Sequence, residues 1–273
     1  MTIDGRAITE DILSGIRETL EVAEVTPVVR AIAVAPSRAT ESYLRIKERQ
    51  ATKAGMRLEL IRMQENVTTE EVIGAVCASG AGAVIVQLPL PRTLDTGRIL
   101  NMIPRHLDAD VLSDSAQGAF MNQTKAALLP PVVAAVKEVL ERSHIVPQGR
   151  RVMVVGKGKL VGTPVAAWLL SEGADVQILT REDPLALLRE ADIVVLGAGI
   201  PHMVKPEHLQ EGVVLIDAGT SESSGSIVGD ADPSCAEVAS VFTPVPGGIG
   251  PIAVACLFRN VAELVQKHRL QVP

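Results

Sequence analysis

Aromatic residues are scarce in this sequence, with three phenylalanines, one tyrosine and one tryptophan among 273 residues. Alanine, valine, leucine and isoleucine must therefore fill the interior, since 47% of the residues are hydrophobic. The scarcity also excludes an aromatic platform for stacking bases. The net charge is −6, with both signs dispersed and no basic run. The composition therefore predicts no nucleic-acid partner.

Cysteine and histidine are also few. The three cysteines, Cys77, Cys235 and Cys256, are odd in number and far apart, and the five histidines are scattered. No Cys-x-x-Cys pair or Cys/His spacing typical of a metal site occurs. We therefore expect buried, reduced thiols and no bound metal.

Long apolar runs are missing as well. The opening MTIDGRAITEDIL carries acidic residues where a signal peptide needs an apolar core. No run approaches the length that spans a membrane. We therefore expect a cytoplasmic protein with no membrane partner.

Alternating helix and strand patterns occupy the first half of the chain. Ile8, Ile12, Ile16 and Leu20 recur every four residues, which predicts an amphipathic helix over Ala7–Ala23. The same reasoning predicts strands at Val28–Val34, Met56–Met63 and Ala83–Gln87, and helices at Thr40–Ala54, Thr68–Ser79 and Leu94–Ile103. The helix at Thr68–Ser79 is predicted to begin with a capping box of Thr68 and Glu71. This half is therefore predicted to be α/β.

A second α/β half follows a stretch, Gly118–Leu129, in which strand and helix signals lapse. The patterns predict a connecting helix at Val132–Ser143 and a last helix at Ile252–His268 that returns to the first half. Strands are predicted at Val152–Val155, Asp175–Leu179, Ile193–Leu196, Val213–Ile216 and Val241–Phe242. This succession favours a doubly wound parallel sheet, and we place the domain boundary at residue 125.

A glycine-rich turn stands at the centre of the second half. In VMVVGKGKLVGTP, residues 152–164, a buried strand ends at Gly156, and Gly158 and Gly162 follow before a helix. Such a turn lets the backbone approach a phosphate at a helix N-terminus. The spacing is one residue longer than the common dinucleotide fingerprint, and a tight turn without a ligand is the alternative. The βαβ context favours a nucleotide site.

Four polar residues of the first half are candidates for chemistry. Tyr43, the only tyrosine, and Lys47 stand four apart on a predicted helix and share one face. Gln87 ends a predicted strand, where open α/β sheets bind ligands, and Asp110 lies in an unpatterned loop. A surface lysine whose stem packs on a half-buried tyrosine is the simpler explanation of the first pair.

A second glycine-rich segment, TPVPGGIGPIAV at Thr243–Val254, has three glycines and three prolines in twelve residues. It is either a stiff loop or a rigid backbone lying against a flat ligand.

In this order, these stretches resemble the methylenetetrahydrofolate dehydrogenase/methenyltetrahydrofolate cyclohydrolase family. The resemblance extends from about residue 3 to 262, and VQLPLP and PGGIGP are far more specific than the glycine turn. The matching stretches are IDGRAI at Ile3–Ile8, Tyr43-x-x-x-Lys47, VQLPLP at Val86–Pro91, Asp108-Ala109-Asp110, Gly156–Pro164, IDAG at Ile216–Gly219 and PVPGGIGP at Pro244–Pro251.

The resemblance implies two α/β domains with a cleft between them, in a homodimer. Residues 1–125, joined by a C-terminal helix at 252–273, would form the folate-binding catalytic domain, and residues 126–251 the Rossmann-like NAD(P)-binding domain. Tetrahydrofolate derivatives would be oxidised with NADP and the product hydrolysed.

By matching position, the resemblance also implies a role for each candidate. Lys47 would act in catalysis, Tyr43 would orient the folate, Gln87 would tune Lys47, and Asp110 would bind the pterin. The floor where folate and nicotinamide meet would be formed by Gly247, Gly248 and Gly250. The cofactor would be held by Gly156, Lys157, Gly158, Gly162, Arg181 and Ile216.

Several departures from the family pattern concern the cofactor side. Pro-Cys-Thr-Pro is replaced by Pro130-Pro131-Val132-Val133, and Gly-Arg-Ser by Gly156-Lys157-Gly158. The threonine that ends the late loop motif is Ala253, and Asp-Val-Asp-Gly has become Asp108-Ala109-Asp110-Val111. A single-activity cyclohydrolase and a non-catalytic folate-binding paralogue with a degraded nucleotide site therefore stay open as alternatives.

Cofactor choice has one local indication. Arg181 follows the second strand of the nucleotide half, where an NAD site more often has an acidic residue on the ribose. A guanidinium there, with Lys157 or Lys159, would hold a 2′-phosphate, although Glu182 and Asp183 follow directly. We expect NADP, with NAD the less favoured cofactor.

Overall fold

The structure is a computed structural model of the chain, and it describes residues 1–223 and 226–269. The chain forms two compact units. The first, here the five-stranded unit, comprises Met1–Thr9 and Val132–Ala253. The second, the three-stranded unit, comprises Glu10–Pro131 and the chain from Val254 onward. The functional domain bounds given above stay a prediction, and positions 270–273 of the predicted C-terminal helix lie outside the described residues.

The order of elements is α/β throughout, as expected. The strands are β1 Val28–Val34, β2 Arg57–Met63, β3 Ala83–Val86, β4 Arg151–Val155, β5 Asp175–Leu179, β6 Ile193–Leu196, β7 Val214–Asp217, β8 Ser221–Ser223, β9 Ser226–Val228 and β10 Val241–Thr243. The α-helices are α1 Gly5–Val22, α2 Arg38–Lys53, α3 Thr69–Cys77, α4 Thr96–Asn101, α5 Asp114–Met121, α6 Pro131–Arg142, α7 Gly162–Ser171 and α8 Ile249–Arg269. Short 3₁₀ helices lie at Arg105–Leu107, Leu185–Glu190, Pro206–His208 and Pro233–Glu237.

The three-stranded unit is built on a parallel sheet with the order β2-β1-β3. The central strand β1 is buried from Val29 to Val34, as a strand covered on both faces must be. Ser37 caps the N-terminus of α2 with its hydroxyl, and Thr68 and Glu71 form the expected capping box at α3. The sheet therefore presents the carboxyl ends of its strands, and the loops that follow them, at one edge.

The five-stranded unit is also fully parallel in its main sheet, with the order β10-β7-β6-β4-β5. The chain passes from β4 to β5 on one side and then returns to place β6 on the other side of β4. This reversal is the topological switch point at which doubly wound folds bind their ligands. The glycine turn leaves β4 at that point, so its position is that of a nucleotide-binding turn.

Two elements were not predicted. Helix α5 occupies part of the stretch in which the patterns lapse; Ser113 caps it, and small residues such as Ala116 and Ala119 form its buried side. The hairpin of β8 and β9 is too short and polar to give a strand signal.

Two sequence expectations are wrong. Cys77 is exposed, because it ends α3 beyond the buried face formed by Val72 and Val76, whereas Cys235 and Cys256 are buried and none of the three forms a disulfide. One helix among the described residues, Ile249–His268, is apolar and long enough to cross a membrane. Its most apolar window is 67% buried inside the protein, so packing in the core accounts for its composition.

Candidate active site

Lys47 and Gln87 lie in direct contact in the three-stranded unit. The Nζ amine of Lys47, on α2, donates a hydrogen bond of 2.9 Å to Oε1 of Gln87, which follows β3. Gln87 is itself fixed, because its backbone N–H donates to Ile32 O and its Nε2 donates to Leu88 O at 2.7 Å. The half-buried amine is thus held by a neutral amide at the carboxyl edge of the sheet.

Tyr43 lies one helical turn before Lys47 on α2, and its side chain is half-buried. Residues four apart on a helix project from the same face, so the ring and the amine are neighbours at the helix surface. The arrangement leaves a partly accessible ring beside a fixed amine, which suits a planar ligand.

Burial and charge act in opposite directions on Lys47 and Asp110. Desolvation lowers the pKa of Lys47, and the charge of Asp110 partly opposes that change. Desolvation raises the pKa of Asp110, with the charge of Lys47 opposing it and that of Asp108 adding to it. The structure therefore couples the two groups electrostatically, and the lysine is shifted toward the neutral form that a base requires.

Asp108 has a structural task in the loop that holds Asp110. Its buried carboxylate accepts hydrogen bonds from the backbone N–H of Leu112 at 3.1 Å and of Ser113 at 2.8 Å. Between these contacts, Val111 has a φ of 56°, in the left-handed region that a β-branched residue rarely adopts. The pattern of the family that the sequence resembles has glycine at this position, and glycine adopts this region without strain.

In the five-stranded unit, two glycines of the turn after β4 are required by close packing. Gly156 has a φ of 100°, and a Cβ there would lie 2.6 Å from Gly197 O. A Cβ on Gly162 would lie 1.8 Å from Gly156 O, so α7 begins directly against the turn. Only glycine allows this approach of helix and turn.

Gly158, Lys157 and Lys159 face a more open region. A Cβ on Gly158 would meet no atom within 4 Å, and both lysines are exposed. The turn thus leaves room for a phosphate beside two cations at the start of α7, and the residues present fit such a group.

Arg181 is exposed at the carboxyl end of β5, next to a fixed acidic turn. Asp183 accepts hydrogen bonds from Thr180, at 2.7 Å from its N–H and 2.9 Å from its hydroxyl, and these lower the pKa of Asp183. One oxygen of the Asp183 carboxylate, Oδ2, is therefore held within its own turn.

Ile216 is fully buried within β7. Its side chain is packed in the core of the five-stranded unit. The predicted cofactor contact of this residue stays a prediction, with no accessible side-chain surface to support it.

The PGGIGP segment packs against the first residues of α1. Gly5 N–H donates to Gly247 O at 2.9 Å, and a Cβ on Gly5 would lie 2.1 Å from Gly248 O. Gly247 has a φ of 110°, and a Cβ on Gly248 would lie 2.6 Å from Pro244 O. Gly250, in the first turn of α8, is exposed with open space around it. The segment is therefore a rigid backbone rather than a mobile loop.

Two buried carboxylates, Asp217 and Asp230, were not singled out in the sequence. Asp217 accepts from the N–H of Gly219 at 2.9 Å and of Ala231 at 2.8 Å. Burial, together with the charge of Asp230, raises the pKa of Asp217 to about 7.

Asp230 accepts from three successive N–H groups after β6, those of Ala198, Gly199 and Ile200, at 2.7 to 3.0 Å. The two carboxylates thus fix the loops after β6 and β7. The one sequence signal for them is an acidic residue directly after an apolar strand, as in IDAG.

Within residues 1–223 and 226–269, no three His, Cys, Asp or Glu residues come together in a way that could hold a metal ion. The candidate chemistry of the described residues therefore rests on the lysine, amide, carboxylate and backbone groups above.

The folds and these groups define a two-domain α/β protein with a Rossmann-like nucleotide-binding sheet and a lysine-centred site on a second sheet. Family models agree: the catalytic domain of tetrahydrofolate dehydrogenase/cyclohydrolase matches residues 3–110, and the NAD(P)-binding domain of the same family matches residues 130–269. The chain belongs to the tetrahydrofolate dehydrogenase/cyclohydrolase family.

Individual relatives are similar over nearly their whole length. The bifunctional protein FolD of Lacticaseibacillus casei is 33% identical over 97% of this chain and 98% of its own. The Trypanosoma brucei methylenetetrahydrofolate dehydrogenase-cyclohydrolase, solved with NADP and an inhibitor, is 31% identical with a TM-score of 0.93, covering 100% of this chain and 99% of its own. The NAD-dependent dehydrogenase of Saccharomyces cerevisiae, 18% identical with a TM-score of 0.80 over 100% of this chain and 99% of its own, shares the fold.

Proposed function

We propose that the protein is a bifunctional one-carbon folate enzyme. It oxidises 5,10-methylenetetrahydrofolate to 5,10-methenyltetrahydrofolate with NADP, and it hydrolyses that product to 10-formyltetrahydrofolate. The observation that carries the proposal is the Lys47–Gln87 hydrogen bond of 2.9 Å, beside Tyr43 and coupled to Asp110. The names of the relatives that match the full chain support both activities.

In the hydrolysis, Lys47 acts as the base. A free lysine has a pKa near 10.4, so at neutral pH it is already protonated and cannot accept a proton. Burial lowers the pKa of Lys47, so the amine accepts a proton from the water that attacks the methenyl carbon. The protonated amine then gives this proton to the folate nitrogen whose bond to that carbon breaks, and the proton of the hydroxyl left on the carbon is released to solvent as the formyl C=O forms.

Tyr43 and Asp110 bind and orient the folate in this scheme. The tyrosine ring lies along the face of the flat ligand, and the Asp110 carboxylate accepts hydrogen bonds from the pterin edge. Gln87 holds the amine of Lys47 in one place without adding a charge that would raise its pKa.

In the oxidation, the task of the protein is to orient the reacting groups. When bound, the nicotinamide accepts the hydride from the methylene bridge. The turn of Gly156, Lys157, Gly158 and Gly162 at the switch point would hold the pyrophosphate. The rigid backbone at Gly247, Gly248 and Gly250 would shape the surface on which the reacting groups meet.

NADP rather than NAD is proposed because Arg181 lies after β5, where the adenosine ribose sits in doubly wound domains. Thr180 holds one oxygen of Asp183, Oδ2, and lowers its pKa, so Asp183 stays charged and opposes the phosphate in part. The homodimer and the cytoplasmic location implied earlier belong to this proposal as well. Three cysteines that form no disulfide are consistent with a reducing compartment. Sedimentation equilibrium measures the oligomeric state.

A single-activity cyclohydrolase is the second candidate, because Gly158 replaces a hydroxyl-bearing residue of the family pattern and leaves open space in the nucleotide turn. One experiment separates the candidates. Purified protein is given methylenetetrahydrofolate with NADP or NAD, and the absorbance of the reduced cofactor and of the methenyl product is followed. Reduction of NADP with transient methenyltetrahydrofolate supports the bifunctional enzyme. Hydrolysis of added methenyltetrahydrofolate without cofactor reduction supports the second candidate, and neither activity contradicts both.

A further inference from the structure

Asn260 connects α8 to the loop that carries Asp110. The asparagine is buried in the three-stranded unit, with 4% of its surface exposed. Its Nδ2 donates one hydrogen bond of 2.9 Å to Ala109 O and another of 2.9 Å to Leu129 O. An amide nitrogen has two hydrogens, so both donors are used on backbone carbonyls.

The bond to Ala109 O acts directly on the next residue. The peptide that joins Ala109 to Asp110 is planar, so fixing the direction of the Ala109 carbonyl also fixes the N–H and the Cα of Asp110. Only a few rotatable bonds then separate this fixed peptide from the carboxylate of Asp110, so the orientation of the carboxylate depends on Asn260.

The other side of Asp110 is held independently. Val111 adopts a φ of 56°, and the carboxylate of Asp108 binds the N–H groups of Leu112 and Ser113. Asp108 therefore sets the loop after Asp110, and Asn260 sets the peptide before it. Removing either clamp would let the carboxylate of Asp110 move relative to Lys47 on α2.

We infer that Asn260 is a positioning residue for folate binding, acting through the Asp110 carboxylate. This inference rests on the proposed role of Asp110. Asn260 does not touch the reacting atoms in this scheme; it determines where the pterin-binding carboxylate points.

The substitution Asn260→Leu removes both donors while keeping the size of the side chain. We expect the KM for 5,10-methenyltetrahydrofolate and the Kd for 10-formyltetrahydrofolate to rise about tenfold, as for a small misplacement of a binding group. The kcat of hydrolysis should change less than twofold, and the KM for NADP should not change. If Asn260→Leu does not fold, Asn260→Ser, which retains one short donor, takes its place in every comparison.

A double-mutant cycle with Asp110→Ala distinguishes positioning from general support of the fold. In the Asp110→Ala background, Asn260→Leu should have no further effect on the Kd for 10-formyltetrahydrofolate, because the group it positions is gone. Val261→Ala is the matched control: it shortens a fully buried neighbour on α8, so it should lower the melting temperature and leave the Kd unchanged.

The outcomes separate the two claims. If Asp110→Ala leaves the Kd unchanged, the proposed role of Asp110 is wrong and the inference fails with it. Suppose instead that Asp110→Ala weakens binding. If Asn260→Leu then has no effect on the Kd, or raises the Kd by the same factor in the unmodified protein and in Asp110→Ala, only the inference on Asn260 is wrong.

Discussion

Lys47 and Gln87 join two elements that are 40 residues apart in the chain, through a hydrogen bond of 2.9 Å from an amine to an amide oxygen. The partner of the amine is neutral. A carboxylate at the same place would favour the ammonium form by its charge, whereas an amide orients the amine and leaves the pKa to burial and to Asp110. The contact therefore fixes the position of the base without abolishing its basicity at neutral pH.

Replacement of Lys47 by methionine should abolish hydrolysis of methenyltetrahydrofolate. Methionine keeps the apolar stem but has no proton acceptor, so we expect a loss of at least about 100-fold in kcat, within the range for a general base. The melting temperature and the folate Kd should stay near those of the unmodified protein. Lys53→Met, on the same helix but exposed and paired with Glu10, is the control. Hydrolysis by Lys47→Met at the original rate would exclude Lys47 as the base.

Replacement of Gln87 by glutamate should shift the pH profile of hydrolysis. The neutral amine of Lys47 is the active form, so kcat/KM rises with pH through the pKa of Lys47. A carboxylate at position 87 raises that pKa by its charge, so the rising limb should move to higher pH. Gln64→Glu, at an exposed turn, should leave the profile in place. A shift to lower pH would contradict the assignment of Lys47 as the base.

The sequence predicts the regular elements well, because their periodic apolar residues and caps are local signals. Thr68 and Glu71, for example, form the expected capping box at the start of α3. The tasks of Asp108 and Asn260 could not be predicted, because each depends on a contact with backbone that only the folded loop supplies. In the sequence Asp108 is only a neighbour of Asp110, whereas in the structure its buried carboxylate binds the N–H groups of Leu112 and Ser113.

The strain at Val111 gives a prediction on stability. A buried valine changed to glycine normally loses about 1.5 to 3 kcal/mol of burial and up to about 1 kcal/mol of backbone entropy. At Val111, release of the unfavourable φ of 56° returns about 1 to 3 kcal/mol. These terms combine to between a gain of about 1.5 and a loss of about 3 kcal/mol, and we expect Val111→Gly to lower the free energy of unfolding by about 1 kcal/mol, near the middle of that range.

Val204→Gly is the matched control for this comparison. Val204 is equally buried, and it is not one of the non-glycine residues with a positive φ. Denaturant unfolding should show a loss at Val204 that is clearly larger than at Val111. Equal losses at the two positions would show that Val111 stores no strain.

Asp217 should make stability fall as the pH rises toward neutrality. Burial raises its pKa to about 7 in the folded protein, against a value near 3.9 in the unfolded chain. The native state therefore binds more protons between pH 4 and 7, and the contribution of Asp217 to stability is lost as the pH rises through this window. The free energy of unfolding of the unmodified protein minus that of Asp217→Asn should fall by up to about 2 kcal/mol between pH 5 and 7.5.

Asp232→Asn provides the control for the pH series. Hydrogen bonds from Ser234 lower the pKa of Asp232, so its contribution changes only in more acidic solution and the corresponding difference should be flat above pH 5. A difference for Asp217→Asn that is also flat, or that rises with pH, would show that this buried carboxyl does not hold its proton near neutrality.

The last prediction concerns cofactor choice: the dehydrogenase should prefer NADP to NAD, and Arg181 should account for most of the preference. A guanidinium can hold a 2′-phosphate through two parallel hydrogen bonds, which a lysine cannot imitate. Arg181 is exposed, and water and salt weaken such a contact, so we expect a preference of about tenfold, equivalent to about 1.4 kcal/mol. Asp183 limits this preference, because Thr180 holds only its Oδ2 and lowers its pKa, so the carboxylate stays negatively charged and repels the phosphate. The ratio of kcat/KM for the two cofactors, measured in the unmodified protein and in Arg181→Ala, tests this assignment.

Arg150→Ala is the control for this measurement. Arg150 is exposed just before β4 and thus lies at the opposite edge of the sheet, so its replacement should keep the ratio, whereas Arg181→Ala should bring the ratio close to one. Equal use of both cofactors by the unmodified protein, or a preference for NAD, would refute the role of Arg181.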